Sequence, residues 1–125
     1  MDNKVLLKKY ERQKLCNGLH SDEFECKCSY KSCRSTIINI RLIKAYSEFR
    51  RILGVSLIIN SGIRCTQHNF DVGGSPRSRH LTGEAIDISK RTLNHLSDEE
   101  IEHAAKIAGF TFIKIYSTFI HLDVR

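Results

Sequence analysis

Four residues with metal-binding or proton-handling side chains fall where the chain could bring them together. His80 and Asp87 flank Gly83 in a turn-rich stretch, and His121 and Asp123 alternate close to the last residue. Zinc takes imidazole nitrogens and carboxylate oxygens, and a catalytic zinc site uses three protein ligands and keeps one position open. His80, Asp87 and His121 supply such a set. A single carboxylate among the ligands leaves a net positive centre, suited to acidifying water. On spacing alone, a loop histidine beside a surface aspartate is an equally good account.

The elements around these residues read as follows. Residues 4–15 are basic and weakly amphipathic, a brief helix or strand. Ser21-Asp-Glu could open a helical turn with Phe24 as its apolar anchor. Apolar residues from Ile37 through Ile40, Tyr46 and Phe49 to Leu53 recur at helical spacing, with Ser35 or Thr36 as N-cap and Gly54 at the C-terminal stop. Val55–Asn60 is a β-branched run, read as a buried strand. Residues 64–82 form a loop punctuated by Gly73-Gly74 and Ser75-Pro76, with one helical turn at His68-Asn-Phe-Asp. Glu84–Ser89 alternates as a strand, with Asp87 on the face opposite Ile86 and Ile88. Ser97-Asp-Glu-Glu100 fits a capping box for a helix that Gly109 ends. Phe110–Tyr116 and Phe119–Val124 form a hairpin whose last strand turns Ile120, Leu122 and Val124 to the core and His121 with Asp123 to the other face. The fold expected is α+β, a small antiparallel sheet with helices packed on one face.

The chain has 125 residues, 41% hydrophobic and 27% charged, which is ordinary for one folded domain. Within it, residues 1–20 read as an N-terminal extension and 21–34 as a Cys-rich segment. The net charge of +6 favours anionic partners, either nucleic acid or an anionic wall polymer, or serves equally well as a source of solubility alone. The basic residues are dispersed, with no run like a nucleic-acid arm, so nucleic acid is not the expected partner. No stretch approaches the length of a membrane span, and the N-terminal residues lack a signal peptide's apolar region. Synthesis in the cytoplasm is expected.

Ser78-Arg-His80-Leu-Thr-Gly83-Glu-Ala85-Ile-Asp87 resembles the Ser-x-His-x-x-Gly-x-Ala-x-Asp motif of the zinc D-Ala-D-Ala carboxypeptidase superfamily. That superfamily includes the VanY and VanX enzymes, phage endolysin peptidases and the Hedgehog signalling domain. Ser61-Gly-Ile-Arg64 resembles its Ser-Gly-Tyr-Arg segment, and Asn69, Val72, Gly73 and Gly74 its Asn-x-x-Val-Gly-Gly. Phe119-Ile-His121-Leu-Asp123 resembles its Phe-Val-His-Val-Asp. The resemblance covers about residues 20–125 in order.

The resemblance implies zinc ligation by His80, Asp87 and His121, and water attack on an amide of peptidoglycan stem peptides. Arg64 would hold a substrate carboxylate or the developing oxyanion, or bridge loop to carboxylate. Ser78 could bond substrate or, as favoured, loop backbone. His68 could touch substrate or pack the loop. Many relatives carry an acidic base three residues before the last zinc histidine. Thr118 stands there and cannot be a base. Asp123 is the alternative base, or else the acceptor that fixes a ligand histidine's tautomer, which is slightly preferred. Glu84 points away from Asp87, and His20, His95 and His103 read as surface residues.

Cys26, Cys28, Cys33 and Cys65 could bind a second, structural zinc, form disulfides or stay free. Cys16 is the odd one out. The function expected is a monomeric zinc peptidase acting on the cell wall after release, or carried on a virion, in a phage, prophage or bacterium. The alternative is a non-catalytic, zinc-stabilised module that binds peptidoglycan or protein.

Overall fold

The computed structural model describes residues 4–9, 12, 14–15, 19–33 and 35–125. Cys16 lies outside them. β1 (Lys4–Lys8) pairs antiparallel with β2 (Ser35–Asn39), and β2 runs straight into helix α1 (Ile40–Leu53). Then come β3 (Ile59–Ser61), helix α2 (Thr66–Asp71), β4 (Ala85–Ser89), helix α3 (Asp98–Ala108), β5 (Phe112–Ile115) and β6 (Phe119–Asp123). The last four strands form one antiparallel sheet in the order β3-β4-β6-β5. The architecture is α+β. Among the described residues, no helix is long and apolar enough to cross a membrane.

Alternation divides the sheet into two faces. Ile86 and Ile88 on β4 pair with Leu122 and Ile120 on β6, and all four are fully buried. They share one core with Leu42, Tyr46 and Phe49 of α1 and with Ile101 and Ala105 of α3. Burying a side chain such as Leu42 or Phe49 contributes about 1.5–3 kcal/mol. Phe24 anchors the segment ahead of β2. It is fully buried and meets Tyr46 edge-on at 5.7 Å between ring centroids. The other face of the sheet carries Asp87 opposite His121.

Several expected elements have different limits. The helix expected from Ile37 starts at Ile40, and its cap is Asn39, whose side chain accepts from the Arg41 amide at 2.9 Å. Ser35 and Thr36 belong instead to β2, because that β-branched run finds a partner in β1. Ile38 is buried while Ile37 is half-exposed, the two-residue period of a strand. The strand expected at Val55–Asn60 is shorter and displaced to Ile59–Ser61, and β5 starts at Phe112 rather than Phe110. The single helical turn near His68 is the six-residue α2. The capping box of α3 forms as read: Ser97 Oγ accepts from the Glu100 amide, and Gly109 ends the helix at φ 114°.

Candidate active site

His80 sits on a single 3-10 turn, Arg79–Thr82, whose N-cap Ser78 accepts from the His80 amide at 3.2 Å. The turn ends at Gly83 with φ 70°, a left-handed conformation. A Cβ there would lie 2.1 Å from the Ile37 carbonyl oxygen, so only glycine lets the turn rest on β2. The His80 ring is buried, and its Nδ1 donates to the Gly62 carbonyl at 2.5 Å. Gly62 is itself pressed against Phe24, where a Cβ would come within 2.5 Å of the Phe24 carbonyl oxygen.

That hydrogen bond leaves His80 Nε2 as the nitrogen with the lone pair. It is buried without a hydrogen-bond partner and lies 3.2 Å from Asp87 Oδ1. His121 presents Nδ1 to the same oxygen at 2.9 Å, while its Nε2 faces Asp123 Oδ2 at 2.9 Å. A neutral imidazole donates from one nitrogen only. With Nε2–H directed at Asp123, the His121 Nδ1 lone pair points at Asp87. Donor atoms of His80, Asp87 and His121 thus converge, all within 4.8 Å of one another. Lone pairs facing each other in a buried place need a proton or a cation between them. Two imidazoles and one carboxylate fit a zinc ion.

The charges describe the same place with protons where a cation would sit. With protons rather than a cation between these atoms, burial works against ionised Asp87, yet the facing His121 and His80 imidazoles outweigh it and hold the carboxyl well below its usual range. Burial also works against protonated His121, but its contacts with Asp123 and Asp87 raise it to about 9. Asp123 is pushed up by burial and pulled further down by His121 and Arg125, so it stays ionised.

Asp123 is fully enclosed. Its Oδ1 accepts from the Arg125 amide at 3.2 Å and from Arg125 Nε at 2.9 Å, and Oδ2 accepts from Arg125 Nη2 at 2.7 Å. The carboxylate therefore stands behind the His121 ring, bound to the nitrogen that faces away from Asp87. The expectation of Asp123 as a base does not fit this position, because the ring separates it from the point where the donors meet. Its geometry is that of the acceptor that orients His121.

Arg64 lies at the other edge. Its Nη2 is 3.5 Å from Asp87 Oδ2, and Nε and Nη1 donate to Ser61 Oγ and Asn69 Oδ1, each at 3.2 Å. Asn69 is buried, and its Nδ2 donates to the Ser75 carbonyl at 2.9 Å, so it ties the guanidinium to the Gly-rich loop. Sequence reasoning gave Asn69 no such role. A cleft of about 540 Å³ opens over the site. Arg64, Ser78, His80, Asp87 and His121 line it; His68 does not. His68 belongs to α2, where its backbone amide donates to the N-cap Cys65 Sγ at 3.4 Å, so the expected substrate contact has no support.

The cleft adds residues that the sequence reading passed over. Arg77, Arg79, Lys114 and Arg125 make its lining strongly cationic, and Phe112, Tyr116 and Phe119 add aromatic surface. Among its described lining residues Asp87 is the sole carboxylate. Period-two counting back from the core-facing Ile113 and Ile115 would have placed Phe112, Lys114 and Tyr116 on the site face. Glu84 pairs with Thr82 Oγ1 at 2.5 Å and Arg79 at 3.6 Å, away from Asp87. His95 and His103 are exposed, but His20 is only half-exposed, with its amide donating to Glu23 at 2.7 Å.

A family model described as Peptidase M15 matches residues 17–123. No curated protein gives a significant match. The matched span contains the donor set, Arg64 and Asp123. The chain belongs to the Peptidase M15 family, within the superfamily of zinc D-Ala-D-Ala carboxypeptidases.

Proposed function

We propose that the chain is a zinc-dependent peptidase that hydrolyses amide bonds of peptidoglycan stem peptides or their cross-links. The observation that carries this reading is the convergence of His80, Asp87 and His121 donor atoms in a cationic cleft. Those three residues would hold the zinc, which supplies Lewis acidity toward an amide carbonyl and toward water. The chain does the rest. The Gly62 carbonyl fixes the His80 tautomer, and Asp123, itself held by Arg125, fixes that of His121. Arg64, steadied by Ser61 and Asn69, offers positive charge to a substrate carboxylate or oxyanion. Ser78 keeps its loop role under His80. Arg77, Arg79 and Lys114 attract the carboxylates that stem peptides carry.

A lysis enzyme of a phage or prophage suits this reading, acting as a monomer once released from the cytosol or delivered on a virion. The anionic polymers of the wall give the charge of +6 a use. Wall remodelling in a bacterium is the other setting. Digestion of purified peptidoglycan, followed by mass analysis of the muropeptides, tests the proposal and identifies the bond cut. New amino and carboxyl termini should form, and should vanish with chelator and in His121→Ala. No release under any metal condition would sink the peptidase reading.

A second reading has two observations in its favour. Asp87, already committed as a ligand candidate, is the only carboxylate among the described residues of the cleft, and Thr118 stands where many relatives place a base. A zinc-stabilised binding module would retain metal and bind peptidoglycan while releasing nothing.

A further inference from the structure

A second group of metal-type donors lies behind Arg64, separate from the cleft. Cys26, Cys28 and Cys33 come from the irregular segment that follows Phe24, and Cys65 is the N-cap of α2. Their four sulfurs all lie within 4.8 Å of one another, with Cys28 and Cys65 Sγ atoms 3.8 Å apart. Four thiolates at ~2.3 Å from a zinc ion stand ~3.8 Å from one another. We infer that these four cysteines form a second, structural site for a thiophilic divalent metal such as zinc, clamping the 26–33 segment to the loop that bears Arg64.

The surroundings favour a metal over the other states of these thiols. All four cysteines are unbridged, and disulfides would draw the sulfurs into two pairs rather than gather all four about one point. Packing as small apolar residues does not account for them either, because only Cys26 is buried and the other three are partly exposed. Hydrogen-bond donors converge on the sulfurs. The Cys65 amide donates to Cys26 Sγ at 3.3 Å, the His68 amide to Cys65 Sγ at 3.4 Å, and Lys9 Nζ to Cys28 Sγ at 3.3 Å. Such donors stabilise metal-bound thiolates by drawing off negative charge. Lys9 is buried, and its ammonium also donates to the Cys28 carbonyl at 2.7 Å. Positive charge placed beside a sulfur favours its thiolate form, the form that binds metal.

The clamp bears on the cleft through the backbone. Cys65 follows Arg64, and the Arg64 amide donates to the His80 carbonyl at 3.0 Å. Loss of the metal would free the Cys-rich segment and loosen the base of the Arg64 loop. The role is structural, and it stands whether or not the cleft turns over peptide.

Metal analysis of the full-length protein tests the inference. The wild type should hold two zinc ions per chain, and His121→Ala one. The double variant Cys28→Ser with Cys33→Ser should lose the His121-independent ion. Because that variant could fail to fold, cobalt substitution of His121→Ala gives an independent reading. An intense thiolate-to-cobalt charge-transfer band with tetrahedral ligand-field absorption is expected, and it should disappear when zinc is added back. Metal-free His121→Ala, a cobalt spectrum without thiolate bands, or a non-reduced mass lighter by the hydrogens lost in disulfide formation would each overturn the site.

Discussion

Asp87 on β4 and His121 on β6 are direct cross-strand partners, and Asp87 Oδ1 meets His121 Nδ1 at 2.9 Å. The row continues across the sheet. Ser61 on β3 is opposite Asp87, and Lys114 on β5 is opposite His121. One extra residue in β3, between Ile59 and Ser61, shifts the register and turns Ser61 into this row, where it receives Arg64. The site geometry is thus a consequence of sheet register. Ile120 and Leu122 on either side of His121 are fully buried. A one-residue slip would drive His121 into the core and expose both, so core packing holds the metal-type donors in line.

Asp123→Asn separates orientation from base catalysis. If Asp123 acts by holding His121 Nε2–H, the amide weakens that hold while Arg125 retains an oxygen partner. Zinc affinity should fall by about 10–100-fold, the usual cost of losing such a partner. Competition with a chromogenic chelator measures it. A variant with wild-type zinc affinity and a collapsed kcat would instead assign Asp123 to proton transfer.

Gly62→Ala should be destabilising although no side chain is lost. The new methyl would lie 2.5 Å from the Phe24 carbonyl, a backbone atom that cannot rotate away. Overpacking of this kind costs about 1–3 kcal/mol. The Gly62 carbonyl should also shift away from His80 Nδ1. Urea denaturation and zinc titration should therefore both report the change, whereas an effect on stability alone would show that the carbonyl keeps its place.

Much of this was legible because the signals are local. The Ser97 capping box, the Gly54 and Gly109 stops and the alternation of Ile120, Leu122 and Val124 need only neighbours in sequence. The donor set was legible from residue types at a spacing that the zinc-peptidase resemblance shares. The start of α1 was not, because Ser35–Asn39 becomes a strand only through Lys4–Lys8, about thirty residues earlier. The place of Asp123 was legible only in part, with the acceptor role slightly preferred. Sharing a strand face with His121 left both roles open, and Arg125, at the same two-residue spacing, closes off the carboxylate.

Asn39→Ala checks that revised start. Asn39 ends β2 and caps α1 through its side chain, so removing the amide should cost about 0.5–2 kcal/mol of stability. Alanine at Thr36, the cap expected from sequence, should leave the first turn of α1 unaffected. Equilibrium denaturation with hydrogen exchange at the Arg41 amide distinguishes the two positions.

Lys114→Gln and Arg77→Gln test whether the cleft selects carboxylate-bearing peptides by charge. Both residues line the cleft, and neither belongs to the donor set. Lys114 is exposed, with its ammonium 5.2 Å from the Tyr116 ring centroid, so removing its charge disturbs no core contact. Each variant should raise KM for a stem peptide by about 3–10-fold, as expected for roughly 1 kcal/mol of electrostatic attraction, with kcat unchanged. Charge attraction in an open cleft is screened beyond about 8 Å at physiological salt. The gap between variant and wild type should therefore narrow as salt is raised, and should shrink for a substrate whose carboxylates are amidated. A KM difference indifferent to salt and to amidation would assign Lys114 and Arg77 to shape, and the anionic-peptide reading of the cleft would lose its support.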